Sequence, residues 1–237
     1  MVFRRNDRQP EVRDFEDQPT RRSDAVVKQS TADYLMDAKI RAFVGFQLSA
    51  EVSQAIAAFV DDMKARVPGN GISWVEPHNV HVTLRFLGDA IDVHAIAPLI
   101  ELLKATASGT RSFVIRVRGL GVFPNLRRPH TVWVGMVSEE LNELATRVDR
   151  TAVRCGFQSE PRPFQPHIAI ARVRKSKHWK AICGELRDRA SLEFGFSTVD
   201  RVSIYRSLKE AEARIYEELA SFPLAGAQPT TPGPSSI

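Results

Sequence analysis

Along the chain the apolar positions change period repeatedly, from two to nearly four and back. Residues 40–48 alternate and predict a strand. Ser49 then stands as a cap before a helix over 50–67, where Val52, Ile56, Phe59 and Met63 recur at helical spacing. A strand is predicted over 81–87 and an amphipathic helix over 92–107. The stretches SFVIRVRGLGVF and TVWVGMV read as strands joined by a Pro/Arg loop at 124–129. A helix over 139–155, a strand over 167–173 and a shorter helix around 178–189 follow. Strands at 192–196, 201–207 and 213–219 close the series. Strands and helices mix evenly, which predicts an α+β fold with two similar halves.

One phrase occurs twice. NVHVTLRFLGD, from Asn79, and QPHIAIARVR, from Gln165, each set a histidine on a predicted strand behind a loop. Side chains alternate along a strand, so His81 and Thr83 share one face while Val82 and Leu84 anchor the other. The second phrase presents His167 and Ala169 in the same way, anchored by Ile168 and Ile170. If the halves face each other, two imidazoles meet across one cleft. A neutral ring can then take a proton from water while a protonated ring gives one to a leaving oxygen. Neighbouring hydroxyl and basic groups would hold the anion between them. A phosphodiester attacked in line suits that layout, and no metal is required.

Composition narrows the setting. The chain has 43% hydrophobic and 26% charged residues, and no apolar run long enough to cross a bilayer. No secretion signal opens it, and two cysteines, Cys155 and Cys183, at no metal spacing suit a reducing compartment, so a cytoplasmic protein is expected. It is also expected to be a monomer. The net charge is +5, yet residues 1–35 carry seven basic and seven acidic groups. The remainder holds 26 basic and 21 acidic groups (33 − 7 and 28 − 7), so the excess lies in the part expected to fold. A polyanionic ligand such as nucleic acid fits that balance. Residues 1–37 are polar with both charge signs and predict a disordered extension. Met36, just ahead of the first strand, is an alternative start that an intact mass of native protein would test. A domain over 38–224 and a disordered, uncharged tail over 225–237 complete the expected organisation.

The sequence resembles the 2H phosphoesterases, which pair two His-x-Thr/Ser-apolar motifs, in HVTLRFLGD and PHIAIARVR. More narrowly, WVEPHNVHVTLRFLGD, GLGVFPNLRRPHTVWVG and RPFQPHIAIARVR resemble the RNA 2′,3′-cyclic phosphodiesterases, also called 2′–5′ RNA ligases. RAFVGFQLSAEV and VSIYRSLKEAEARIYEELASFPL extend the likeness over residues 39–224. The resemblance implies a bilobal fold, two pseudo-symmetric lobes whose antiparallel sheets line a central cleft, with helices outside. It implies opening of 2′,3′-cyclic phosphates at RNA 3′ ends, or of small cyclic nucleotides, to 2′-phosphomonoesters without metal or cofactor. By position, His81 and His167 become the catalytic pair and Thr83 a phosphate-binding hydroxyl. The family analogy favours His81 as the acid and His167 as the base.

Two departures stand out. Ala169 replaces the second hydroxyl, and His130 stands where related sequences often carry Arg, a permanently charged fork. They keep open a binding module for RNA ends or nucleotides that does not turn them over. A zinc hydrolase is disfavoured, because neither histidine has a third ligand at metal spacing. Phe123, in its Gly/Pro loop, is a candidate to stack on a base. Arg127 and Arg128 are candidates to contact phosphates, with His130 beside them. Trp74 is expected to pack, and His78, His94 and His178 to be solvated. Gln165 is a candidate to fill the place of the missing hydroxyl, and Tyr205 and Arg206 are candidate cleft residues.

Overall fold

Nine strands and four helices form two antiparallel sheets in a computed structural model, which describes residues 39–67, 71–174, 179–210 and 213–227. In chain order the elements are β1 (Lys39–Phe46), α1 (Ala50–Arg66), β2 (Ile72–Trp74), β3 (Val82–Asp92), α2 (Ile96–Ser108), β4 (Phe113–Phe123) and β5 (Thr131–Val137). Then come α3 (Glu139–Arg154), β6 (His167–Val173), α4 (Trp179–Asp188), β7 (Glu193–Val199), β8 (Arg201–Glu210) and β9 (Ala213–Pro223). One sheet has the order β3-β1-β8-β9 and the other β2-β6-β5-β4-β7.

The two expected halves exist but are interleaved. The run β1-α1-β3 recurs as β5-α3-β6, yet each half sends its helix to the other's sheet. Helix α1 follows β1 and packs against β7 of the second sheet, with Phe59 edge-on to Phe194 at 5.6 Å. Helix α3 follows β5 and lies against β3 of the first. The C-terminal hairpin β8-β9 completes the first sheet, and β2 adds an edge strand to the second. Three residues, Ile72 to Trp74, are too few for an alternation to be read from sequence, so β2 is an addition to the expected elements. Trp74 is half-buried against the core, as expected.

Local chemistry explains the element ends. The Ser49 hydroxyl accepts from the Val52 amide, while its own amide donates to Ser197 Oγ at 2.8 Å, tying the start of α1 to β7. Ser138 caps α3 in the same way through the Leu141 amide, and Glu139 and Glu140 favour its first turn. The helix expected over 92–107 starts as a 3-10 turn at Val93–Ala95, capped by Asp92, and Pro98 sits in the first turn of α2, where its missing N–H costs nothing.

Arg85 fastens the interleaving. It is 7% exposed, its Nε lies 2.7 Å from Asp149 of α3, and its Nη1 lies 3.3 Å from Glu160. A further bond runs to the Gln158 carbonyl. The expected extension over 1–37 lies outside the described residues. The expected tail begins within them: Ala225 bridges to Arg111, its carbonyl accepts from Ser112 at 2.9 Å, and 228–237 lie outside. No helix among the described residues is long and apolar enough to cross a membrane.

Candidate active site

The two histidine phrases build matching strands. Thr83 pairs with Gly45 and Arg85 with Val44, so Leu84 is the extra residue of a bulge. In the second sheet Ala169 pairs with Trp133 and Ala171 with Val132, so Ile170 is extra. Both bulges fall three residues after a histidine (84 − 81 and 170 − 167). Each reverses the alternation, burying Leu84 with Arg85 and Ile170 with Ala171 on the helix side. The cleft face of β3 therefore reads Thr83 then Phe86, and that of β6 reads His167, Ala169, Arg172. Val82, Leu84, Ile168 and Ile170 are the expected anchors, all 5% exposed or less. His81 itself lies one residue before β3.

Both rings are held by the same device. His81 Nδ1 lies 2.6 Å from the Asn79 carbonyl, and His167 Nδ1 lies 2.8 Å from the Gln165 carbonyl. A carbonyl only accepts, so Nδ1 carries the proton in each ring and Nε2 is left for proton exchange. The Asn79 side chain is buried and donates to the Arg214 carbonyl at 2.6 Å, which ties the loop before His81 to β9. Asn79 and Gln165 both stand two residues before a histidine, an amide-His spacing that sequence reading did not use.

Surroundings differ between the halves. His81 stacks on Phe43 (centroids 4.7 Å apart) and meets the edge of Tyr216 (4.6 Å), with Tyr205 stacked beyond Phe43 at 5.2 Å. Its Nε2 is 3.1 Å from Thr83 Oγ1. His167 meets Phe123 edge-on at 4.9 Å, and Phe123 leans on Trp133 at 5.3 Å. The Trp133 indole covers Gly121, where an added Cβ would fall 2.0 Å from Cζ2. Gly119, at φ 82°, turns the chain at a break in β4 pairing and serves no phosphate loop.

Burial pushes both imidazoles below their usual pKa of 6.5, partly offset by the carbonyl bonds. The charge of His167 lowers His81 further.

The expected residues divide into two groups. His81, Thr83, His167 and Phe123 lie on or beside the cleft strands. Arg127 and Arg128 occupy the exposed loop after Phe123, their amides both bonded to Asn125 Oδ1 at 3.0 and 3.1 Å, and that loop borders a cavity of about 540 Å³ lined by Val122, Asn125, Leu126 and Arg127. His130 is exposed, and its backbone closes the β4-β5 hairpin by donating to the Phe123 carbonyl at 2.7 Å. Gln165 contributes its carbonyl, and its side chain is exposed. Tyr205 is buried, its phenol pushed up to about 12 by burial, and Arg206 pairs with Glu217. His78 and His94 are exposed as expected, and His178 is outside the described residues. Sequence reading missed Phe43, Trp133 and Tyr216, which looked like ordinary strand aromatics. Among the described residues, no three His, Cys, Asp or Glu side chains gather where a metal could be held.

Comparison with known proteins gives a consistent picture. The family model described as the 2′-5′ RNA ligase superfamily matches residues 52–211. The RNA 2′,3′-cyclic phosphodiesterase of Aquifex aeolicus (strain VF5) is 35% identical over 191 residues, 79% of this chain and 98% of that protein. The protein of the same name from Methanothermobacter thermautotrophicus is 29% identical over 187 residues, covering 78% of this chain and all of that one. Among solved structures, TT0787 of Thermus thermophilus superposes with a TM-score of 0.65 at 26% identity, over 80% of this chain and 100% of that one. E. coli LigT complexed with 3′-AMP shares the fold, with a TM-score of 0.64 at 23% identity over 78% of this chain and 98% of that one.

Proposed function

The chain belongs to the 2′-5′ RNA ligase superfamily, and from that membership we propose that it hydrolyses 2′,3′-cyclic phosphates at RNA 3′ ends, or in small cyclic nucleotides, to 2′-phosphomonoesters. One observation carries the reading to this chain: two half-buried imidazoles of matching backbone origin, each with Nδ1 tied to a carbonyl and Nε2 left for proton exchange.

The chemistry follows from that pair. Water attacks phosphorus in line with the P–O3′ bond, and the neutral imidazole takes its proton at Nε2. The protonated imidazole gives its proton to O3′ as the P–O3′ bond breaks, leaving phosphate on O2′. The family analogy makes His81 the donor and His167 the acceptor of the water proton. The Thr83 hydroxyl, beside His81 Nε2, is placed to donate to a non-bridging oxygen as charge grows there. The charge of His167 disfavours a second proton on His81, which favours a singly protonated pair, and the reactive form is the one that carries this proton on His81. Phe123, at the edge of His167, offers a face for a base, while the Arg127/Arg128 loop and His130 form the rim beyond it.

The test is a short RNA ending in a 2′,3′-cyclic phosphate, incubated with the protein and excess chelator, with the product resolved by position. A 2′-phosphate is expected. A 3′-phosphate, or no turnover by folded protein, would overturn the proposal, the latter in favour of a module that binds such ends.

A further inference from the structure

Beyond the histidines, the cleft carries a second concentration of charge. Tyr216, edge-on to His81, pairs with Ser207 across β8 and β9. The next pair toward the hairpin on that face is Lys209 opposite Arg214, two cations directly across from each other. Like charges so placed repel and are normally avoided. Arg214 also reaches back to donate to Ser207 Oγ at 3.0 Å. On β1, Arg41 lies one residue beyond the Ala42–Arg206 pair, which sets it beside Ser207. Its guanidinium covers the Phe86 ring at 4.4 Å and pairs with Asp89. From the other sheet, Arg172 faces the cleft opposite Thr131, beyond the bulge at Ile170.

Four cations therefore meet one carboxylate, Asp89, that pairs with any of them among the described residues. The charges of Arg214 and Arg172, after burial, hold the Arg41 pKa below its ordinary value, so the groups from both sheets sense one another. Two residues of strand, about 7 Å, separate Arg214 from Tyr216 and hence from the His81 edge of the cleft.

We propose that Arg41, Arg172, Lys209 and Arg214 form a second anion site that takes another phosphate of the bound nucleotide. That phosphate is either the phosphodiester on the 5′ side of the terminal residue or the 5′-phosphate of a mononucleotide. The site deepens the hydrolase reading and rests on it for the position of the first phosphate. It selects ligands with two phosphates over nucleosides with one.

Calorimetry with adenosine 2′-monophosphate, adenosine 2′,5′-bisphosphate and a diadenosine dinucleotide bearing a terminal 2′-phosphate tests this on the full chain. Wild type is expected to bind at least one two-phosphate ligand about tenfold or more tightly than the monophosphate, since charge-assisted bonds to a second anion add at least that much. Gain with the dinucleotide assigns the site to a chain phosphodiester, and gain with the bisphosphate alone assigns it to a 5′-phosphate. The ratio should fall toward one in Arg172→Gln/Arg214→Gln and stay in Arg116→Gln, a basic position on β4 paired with Glu193 of β7. A wild-type ratio near one, a ratio that survives the double substitution, or equal loss in Arg116→Gln would overturn the proposal. Turnover of 2′,3′-cyclic AMP is followed in parallel. No turnover with the ratio intact would remove the hydrolase reading and leave the second site standing.

Discussion

Leu84 and Ile170 hold the same place in the two halves: each is the unpaired residue of a bulge three positions after a histidine. The bulge keeps the histidine and position +2 on the cleft face while turning two consecutive residues, +3 and +4, into the core. The match of bulges, together with the shared carbonyl anchor on Nδ1, makes the two strands one design used twice. What differs is the furniture around them, Thr83 and Tyr216 on one side, Ala169 and Phe123 on the other.

That symmetry sets the pH dependence. Both imidazoles titrate below 6.5, mainly through burial. Turnover needs one ring charged and one neutral, so activity falls below the lower macroscopic pKa of the pair and again above the higher one. Both limits move to the acid side, and kcat/KM for a cyclic phosphodiester should peak below pH 6.5. A profile measured in constant-ionic-strength buffers that peaks above pH 7, or stays flat from 5 to 9, would contradict this.

Ala169→Thr should raise turnover. The position pairs with Trp133 on the cleft face, as Thr83 pairs with Gly45, and is half-buried beside the cleft. A donor to a developing oxyanion is commonly worth about 10²–10³ in rate, and Thr83 already supplies one, so a gain of about tenfold is expected. Gln165 gives its carbonyl to His167 Nδ1, and its side chain is exposed. Unchanged kcat/KM would show that no hydroxyl is wanted there.

Gly121→Ala should damage both stability and activity. The added methyl would overlap the Trp133 indole, which supports Phe123 and through it His167. Overpacking of this kind costs about 1–3 kcal/mol, and the displaced ring should lower turnover as well. Urea unfolding and kcat read together check this, and an unchanged midpoint with unchanged kcat would contradict it.

Much of this was legible in the sequence, for identifiable reasons. Val82, Leu84, Ile168 and Ile170 mark their strands by alternation, and the histidines stand out because a polar ring on an apolar strand needs an explanation. Ser49 marks a helix start by capping chemistry. The interleaving was not legible, because nothing local in α1 or α3 says which sheet will cover its apolar face. Nothing in the sequence around Arg85 names its partner, and only the exchange of helices supplies Asp149. Phe43 and Tyr216 were hidden for the same reason: their contact with His81 crosses strands far apart in sequence, and an aromatic in a strand is ordinarily packing.

The most direct measurement is turnover of an RNA ending in a 2′,3′-cyclic phosphate by wild type, His81→Ala and His167→Ala, each shown to be folded. Loss of either proton-transfer group should lower kcat by about 10²–10⁴, whereas binding of the 2′-phosphate product should persist. Near-wild-type turnover in either variant would mean that the paired imidazoles are not the acid and base.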